Sequence, residues 1–251
     1  MKTIVVLIAL ISSCSLSQAQ NASPEDTVSN PDDITTLSYY HDTLFLRRKV
    51  VRGEEWTDYN CVYIEQNRDS KYYNWLTSFA FDEFDSMLLE SYDIELVPSA
   101  DRFPSNKTSG LPKTWIPVYS FNDEFYTYKP SDFGNAGSRI LTDSLFIKWY
   151  MDGLMPMQIT SQGPIQGTDQ YVFELEMEGA YQELLIIQPY DKERQIYLFQ
   201  YKSRNNAEYQ LYIPSDNAKD FDMVVNTGNH KAREYRFDEF DIESYLGIPK
   251  K

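Results

Sequence analysis

The sequence predicts a mainly β fold: an antiparallel meander that closes as a barrel or folds into a two-layer sandwich, with one or two short helices near residues 71–92 and 241–247. Aromatic residues make up 15% of the chain, including 20 Tyr, and such residues suit the half-buried surfaces of sheets. From Leu145 onward, strand-length runs follow one another across short, turn-like connections. Connections this short favour antiparallel neighbours, because a parallel crossover needs roughly a dozen residues or more.

The N-terminus predicts an export signal. Lys2, the apolar run Ile4–Ile11 and the small residues after it follow the order of a secretory signal. The apolar run is far shorter than the roughly 20 residues of a membrane span. Cleavage after Ala19 gives a signal at 1–19. The alternative is the lipobox-like motif Ile11–Cys14, which gives a signal at 1–13 and a lipid on Cys14.

Residues 20–34 predict a flexible polar tether, and residues 35–251 predict a single β-rich domain. The tether is rich in Pro, Ser and Asp and has no apolar period, a composition that is typical of flexible segments. No break in composition divides the remainder, and β-rich domains often exceed about 200 residues. The expected membrane contact is therefore limited to a lipid anchor on Cys14.

The first half of the domain has a mixed pattern. Strand-like runs at 35–51 and 59–66 flank a turn at Gly53, and residues 71–92 have helical character. Pro98–Lys113 is a long loop with Pro, Ser and Gly, which is either an ordered surface excursion or a mobile flap.

The second half is predicted to be a series of strands. In the run at 170–177, Tyr171, Phe173, Leu175 and Met177 alternate with mostly polar residues, so one face is packed and the other is wet. The eight predicted strands carry the sequences LFIKWYM, MQITSQ, QYVFELEM, YQELLIIQ, QIYLFQYK, EYQLYI, FDMVVN and REYRF.

Two short motifs each occur twice. FDEFD stands at Phe81–Asp85 and Phe237–Asp241; its Phe residues, three apart, share a face on a helix but not on a strand. Its acids suit a helix start, whereas a calcium loop needs a Gly bend and alternating oxygens that are missing here. We expect two helix entrances. The motifs at Tyr128–Asp132 and Tyr212–Asp216 place Pro, Ser and Asp where a strand should end.

Several chemistries are disfavoured. The net charge of −15 repels nucleic-acid phosphates, so no nucleic-acid partner is expected. Once the signal is removed Cys61 is the only cysteine, and its pattern predicts a half-buried strand residue. His41, His230 and Cys61 lack the spacing of a zinc site, although a Cys61–His dyad depends on geometry that sequence does not reveal. No metal, cofactor or catalytic residue is predicted.

The aromatic residues allow two interpretations. Exposed rings stack on sugars or apolar ligands, whereas buried rings fill the core between sheets; the second interpretation is favoured for each Trp. The Asn106 sequon is relevant only to a eukaryotic source. The residues concerned are Trp56, Trp75, Trp115 and Trp149, with Tyr39, Tyr40, Tyr72 and Tyr73.

Together these observations predict an exported, non-catalytic envelope protein that binds a small molecule, a glycan or a protein on its β scaffold. The expected location is the bacterial periplasm or the membrane-anchored cell envelope, and otherwise the secreted fraction. The alternative is a secreted hydrolase of glycan or peptide whose carboxylates the sequence does not single out, and a third hypothesis is a structural tether. In outline, the meander resembles the calycin-type barrels.

Overall fold

The structure is a computed structural model, and it describes residues 38–40, 43–52, 57–79, 83–90, 109–132, 136–150, 153–177, 181–204, 206–228, 234–239 and 242–247. All of these lie in one compact unit, Thr35–Lys251. The expectations for the signal, the tether, Cys14, His41, Trp56, Asn106 and His230 fall outside the described residues.

The described residues form thirteen strands, which we number in chain order. They are β1 Ser38–Tyr40, β2 Thr43–Arg52, β3 Thr57–Glu65, β4 Thr114–Phe121, β5 Glu124–Lys129, β6 Arg139–Leu141, β7 Leu145–Tyr150, β8 Gly153–Pro164, β9 Tyr171–Met177, β10 Tyr181–Asp191, β11 Ile196–Lys202, β12 Ala207–Pro214 and β13 Met223–Asn226.

The helices in the described ranges are short: α1 Lys71–Thr77, α2 Glu83–Glu90, α3 Ile242–Tyr245 and a 3₁₀ segment, Ser215–Asp220. The three described α-helices fall where the sequence predicts helical structure, at 71–92 and 241–247, whereas the 3₁₀ segment was not predicted. Among the described helices, none has the length and apolar character to cross a membrane.

Eight of the described strands close into an antiparallel barrel. The strands β6 to β12 follow one another as a meander, and β4 completes the ring by pairing with β12 on one side and β6 on the other. The closing contact pairs Thr114 with Ile140 and Trp115 with Arg139. The prediction of a mainly β, antiparallel fold is confirmed, and the barrel is the form it takes.

The strand β4 also begins a sheet extension outside the barrel, in the order β4–β5–β13–β3–β2–β1. The β2–β3 pair is antiparallel, as predicted from the turn at Gly53. However, β13 and β5 pair in parallel, which the expectation of an antiparallel meander missed. These two strands are distant in sequence, so the argument from short connections does not apply to them.

Alternation divides the core into an inner and an outer layer. The side chains of Phe173 and Leu175 are buried inside the barrel, and Tyr171 and Met177 pack beside them, which confirms the predicted packed face. The opposite faces of the barrel strands pack against α1, α2 and the extension. The inner layer consists of Trp115, Leu141, Phe146, Met157, Phe173, Leu175, Leu185, Ile187, Phe199, Tyr201 and Tyr212.

The first FDEFD motif fastens α2 to the barrel. Asp85 is buried, with 5% of its surface exposed, and its Oδ1 accepts a hydrogen bond of 3.2 Å from the Leu154 N–H at the start of β8. Gly153 has φ +103°, and a Cβ there would meet Asp85 Oδ1 at 3.1 Å. A helix does begin at this motif, as predicted, while the described contact of its carboxylate is with a strand.

The second FDEFD motif also precedes a helix, as predicted, because α3 begins at Ile242, directly after the motif. Its last two residues, Phe240 and Asp241, lie outside the described residues. Phe237 lies in non-helical chain and stacks on Tyr119 with ring centroids 4.6 Å apart. The described part of the REYRF run, 234–237, is likewise not a strand, so that prediction is wrong. Side-chain stacking and hydrogen bonds attach this segment to the sheet: the Asp238 N–H donates to the Ser120 carbonyl at 2.9 Å, and the Asn122 N–H donates to the Asp238 carboxylate at 2.7 Å. The short helix α3 follows at Ile242 and ends before Gly247, at φ +66°.

The two Pro-Ser-Asp motifs do end strands, as predicted. β5 ends at Lys129 and β12 at Pro214. After β5, the Ser131 N–H donates to the carboxylate of Glu234 at 3.1 Å, which ties the C-terminal segment to this strand end. The repeated motif is therefore a structural device at both positions.

Candidate functional site

The interior of the barrel has two different ends. We call the end where β4, β7, β9 and β11 begin the closed end, and the end where these four strands finish the mouth. Alternate residues of a barrel strand point inward. A comparison along a single strand therefore shows how the interior changes from one end to the other.

The closed end is filled by aromatic side chains. Trp115, Phe146, Phe173 and Phe199 have no exposed surface. The Trp115 ring lies 5.1 Å from the Tyr197 ring and 5.0 Å from the Phe199 ring, both close to edge-on, a favourable arrangement for aromatic pairs. An eight-stranded barrel is just wide enough for side chains to fill it. The closed end therefore leaves no passage for a ligand through the lumen.

The mouth holds a buried ion pair. Lys148 on β7 and Glu183 on β10 point inward, and their Nζ and Oε2 atoms are 2.5 Å apart. Their side chains are only 7% and 5% exposed. Removing two charges from water costs several kcal/mol for each ion, by order of magnitude, and the attraction between them offsets that cost only with good geometry. A pair in such a place is therefore a weak source of stability.

A second cation and two tyrosines extend this polar region inward. The Lys148 ammonium lies 4.6 Å from the centroid of the Tyr201 ring, and Arg139 Nε donates to the Tyr201 hydroxyl at 3.3 Å. The Arg139 guanidinium also lies 5.7 Å from the Tyr212 ring. These contacts are cation–π interactions, which strengthen as the cation is desolvated.

Burial governs the protonation of these groups. It lowers the pKa of Lys148, and the hydrogen bond to Glu183 only partly opposes this. Burial also raises the pKa of Tyr201 well above its ordinary value, with the neighbouring Tyr212 adding to the effect. Both shifts have the same physical cause, since a low-dielectric site disfavours the charged form of each group.

A cavity of about 350 Å³ opens above the ion pair. That volume lies at the small end of the range of ligand pockets, about 300–1,000 Å³. Tyr181 stands at its edge with 39% of its surface exposed, and its hydroxyl donates to Glu183 Oε1 at 3.2 Å. The cavity is lined by Lys148, Met155, Met177, Tyr181, Glu183, Tyr201, Ser203, Asn206 and Glu208.

The lining of the mouth combines fixed charges with apolar surface. Glu183 accepts from Lys148 through one oxygen and from Tyr181 through the other, so both of its oxygens are already engaged. Glu208 is exposed at the rim, where its Oε1 accepts from the side-chain amide of Asn206 at 2.9 Å. Two thioethers and two aromatic rings provide apolar walls beside these fixed charges. A few placed polar groups in a partly apolar pocket are typical of ligand sites.

A larger cavity, of about 560 Å³, lies elsewhere on the surface, between the β4–β5 and β10–β11 turns. Its two arginines are engaged with neighbouring acids: Arg68 with Asp222 at 2.6 Å, and Arg194 with Asp191 at 2.7 Å. The Arg68 side chain is 35% exposed, and the Arg194 side chain is 46% exposed. Exposed pairs of this kind contribute little and are screened by water and salt, so we regard this cavity as solvated surface.

The structure separates the aromatic residues that the sequence singled out. Trp115 fills the closed end, Trp149 packs against the outer core, and Tyr73 is a fully buried residue of α1. Trp75 is 37% exposed, and Lys129 Nζ lies 5.7 Å from its ring. Core filling is thus confirmed for Trp115 and Trp149, and none of the three described Trp residues lines the mouth.

Cys61 is a half-buried residue of β3, as predicted, and its backbone N–H donates to Thr227 Oγ1 at 3.1 Å. Within the described residues, no group of three or more His, Cys, Asp or Glu is placed to hold a metal ion.

Sequence reasoning missed Arg139, Lys148 and Glu183. The signal was present in the alternation: Lys148 follows Phe146 on the inward face of β7, and Glu183 precedes Leu185 on that of β10. A charged residue at a strand position where the alternation calls for an apolar one is the pattern that indicates such residues.

Comparison with known proteins adds no family: no family model, no curated protein and no solved structure matches this chain.

Proposed function

We propose that this protein is an exported, non-catalytic protein of the cell envelope that binds a small amphipathic ligand in the mouth of its barrel. The observation that carries the proposal is the cavity of about 350 Å³ above the Lys148–Glu183 pair. Charged groups buried at the floor of a cavity reduce stability relative to an apolar core. A binding role explains why charged residues occupy inward positions at the mouth, whereas aromatic residues occupy the inward positions at the closed end.

The size and depth of the cavity restrict the ligand. Because the inner layer is packed from Phe173 to Trp115 without exposed surface, the ligand occupies the mouth alone. A cavity near the lower limit of ligand pockets fits a compact molecule or one group of a larger one. Met155 and Met177 offer adaptable apolar contact, since Met side chains fill irregular gaps.

A panel of small amphipathic molecules, monosaccharides and short peptides, screened by calorimetric titration, tests this function. We expect a binder whose affinity is lost in Met155→Trp, which fills the mouth. Lys192→Trp is the matched control: it adds the same bulk at an exposed position in the β10–β11 turn, at the closed end. Binding that survives Met155→Trp but fails in Lys192→Trp contradicts the proposed site.

The hydrolase alternative makes a different prediction at the same place. Among the described residues, Glu183 and Glu208 are the carboxylates that line the mouth, so a hydrolase would use them as its acid and base. Turnover of a glycan or peptide that disappears in both Glu183→Gln and Glu208→Gln replaces the binding proposal with catalysis. Binding without turnover in the unaltered protein supports the proposal as stated.

The envelope location has its own test. Intact mass spectrometry of the mature protein distinguishes a lipid on Cys14, after loss of residues 1–13, from a start at Gln20 after loss of residues 1–19. A protein that retains its N-terminal methionine and remains inside the cell contradicts export.

A further inference from the structure

We propose that the ligand of the mouth carries a positive charge, as an ammonium or quaternary ammonium group on a compact organic body. This inference rests on the proposed function and names the class of ligand for the same site. Three observations carry it: the balance of the charges that line the mouth, the overall field of the protein, and the rings and thioethers at the entrance.

The described charged groups that line the cavity are two carboxylates and one cation. Glu183 and Glu208 are the carboxylates, and Lys148 is the only basic residue among the described lining groups. Arg139 is buried beside the Tyr201 hydroxyl and does not belong to the lining. Since Lys148 pairs with Glu183, the lining has one carboxylate more than it has cations.

The additional carboxylate is that of Glu208 at the rim. Its described contact is the neutral amide of Asn206, which leaves the negative charge in place. A ligand cation that enters the mouth passes Glu208 without having to displace an existing ion pair. A ligand anion has to compete with Glu183 for Lys148 at a contact of 2.5 Å.

The field of the whole chain acts in the same direction. A net charge of −15 raises the local concentration of cations and lowers that of anions, and clefts lined by one sign of charge focus this effect. An anionic ligand would therefore meet repulsion both at long range and at the rim.

The entrance also offers the surfaces that organic cations prefer. Tyr181 is partly exposed beside the cavity, and the face of a tyrosine ring attracts a cation. The mouth already uses this interaction internally, because the Lys148 ammonium lies 4.6 Å from the Tyr201 ring. The thioethers of Met155 and Met177 supply polarizable contact for the apolar part of such a ligand.

Calorimetric titration with three probes of matched shape tests the charge. Choline carries the cation, 3,3-dimethylbutan-1-ol replaces its nitrogen by carbon, and 3,3-dimethylbutanoate carries a negative charge. A cation–π contact and one carboxylate together correspond to roughly tenfold in affinity. We expect choline to bind about tenfold more tightly than its neutral isostere, the anion to bind least, and added salt to weaken choline binding.

Glu208→Gln and Glu193→Gln form the matched pair of variants. Both replace an exposed Glu, but Glu193 lies in the turn at the closed end. We expect Glu208→Gln to weaken choline binding several-fold, since one charge contact is lost, and Glu193→Gln to leave it within twofold. A urea titration of each variant shows that it is folded.

Equal affinities for choline and its isostere, or tighter binding of the anion, overturn the inference. So does choline binding that is unaffected by both Glu208→Gln and Met155→Trp. If the general panel nevertheless finds a neutral or anionic ligand that Met155→Trp abolishes, the proposed function stands and only the charge assignment fails. If Met155→Trp affects no ligand, both fail.

Discussion

The closed end and the mouth of the barrel are lined by the same strands, yet they bury different chemistry. On β7, Phe146 is fully buried at the closed end, and Lys148, the next inward residue, belongs to the mouth. On β10, Ile187 stands at the closed end and Glu183 at the mouth. Along each of these strands, one or two steps between inward-facing residues thus lead from an apolar interior to a charged one. Stability is expected from the closed end, and recognition from the mouth.

The largest loss of stability is expected at the closed end. Phe199 is fully buried and its ring contacts those of Trp115 and Tyr212, so Phe199→Ala leaves a cavity in close-packed rings. Such a truncation lowers the free energy of unfolding by about 3–5 kcal/mol. Urea unfolding measures it, with Tyr181→Ala at the half-exposed entrance as the control of similar size. A cost for Phe199→Ala no larger than that of Tyr181→Ala contradicts the comparison.

The next largest effect concerns the ion pair of the mouth. Lys148→Met leaves the Glu183 carboxylate buried without its partner, which costs about 3 kcal/mol. The double substitution Lys148→Met with Glu183→Leu removes both charges, and buried pairs replaced in this way are often neutral or stabilising. We therefore expect the double variant to recover the stability of the unaltered protein in urea. A double variant whose loss equals the sum of the losses in Lys148→Met and Glu183→Leu would show that the two charges are not coupled.

The sequence predicted those parts of the fold that depend on local alternation. Tyr171, Phe173, Leu175 and Met177 share one face, as their period requires. Closure into a barrel rests on the contact between β4 and β6, which joins Thr114 and Trp115 to Arg139 and Ile140. Local sequence patterns do not indicate such a long-range contact, so the sequence alone does not distinguish a barrel from a sandwich.

The mouth was missed for a related reason. A Lys or Glu in a strand usually faces water, because burial of an unpaired charge is costly. Lys148 and Glu183 each become acceptable inside only because the other lies opposite, on a strand three places around the barrel. Likewise, the stacking of Phe237 on Tyr119 joins distant segments, and a local pattern does not reveal it, so the REYRF run resembles a strand although its described part is not one.

A smaller and pH-dependent effect is expected for Tyr201. Its pKa is raised well above the ordinary value of 10.0 by burial, so the folded state keeps the proton that the unfolded state loses. Its contribution to stability is complete below pH 10 and decreases, by about 1.4 kcal/mol for each pH unit, as the pH rises above 10 toward the folded pKa.

Tyr201→Phe removes that dependence. At neutral pH we expect a loss of about 1 kcal/mol, from the hydrogen bond with Arg139, and a smaller loss or a gain at alkaline pH. Urea unfolding at about pH 8 and about pH 11 measures the difference. Burial also raises the pKa of Tyr73, to about 12. Tyr73 is present in both the unaltered protein and Tyr201→Phe, so it lowers the stability of both equally at alkaline pH. Identical pH slopes for the two proteins contradict the buried position of Tyr201.

The smallest effect is expected for the exposed ion pair at the closed end. Lys192 Nζ and Asp169 Oδ2 are 2.6 Å apart, nearly the separation of the mouth pair, but their side chains are 72% and 68% exposed. Water and salt screen such a pair, so Lys192→Met leaves the urea midpoint unchanged within error. A loss comparable with that of Lys148→Met would show that distance, and not burial, decides the energy of these pairs.

Access of solvent to the two ends tests the central claim most directly. A neutral paramagnetic chelate added to the water broadens the NMR signals of groups that it can approach. Met155 and Met177 line the mouth, and the indole N–H of Trp115 is buried at the closed end, with no hydrogen-bond partner among the described residues. We expect the two methyl signals to broaden while the Trp115 indole signal remains sharp. Broadening of the Trp115 signal to the same degree, or protection of both methyl groups, would contradict a barrel that is sealed at one end and open at the other.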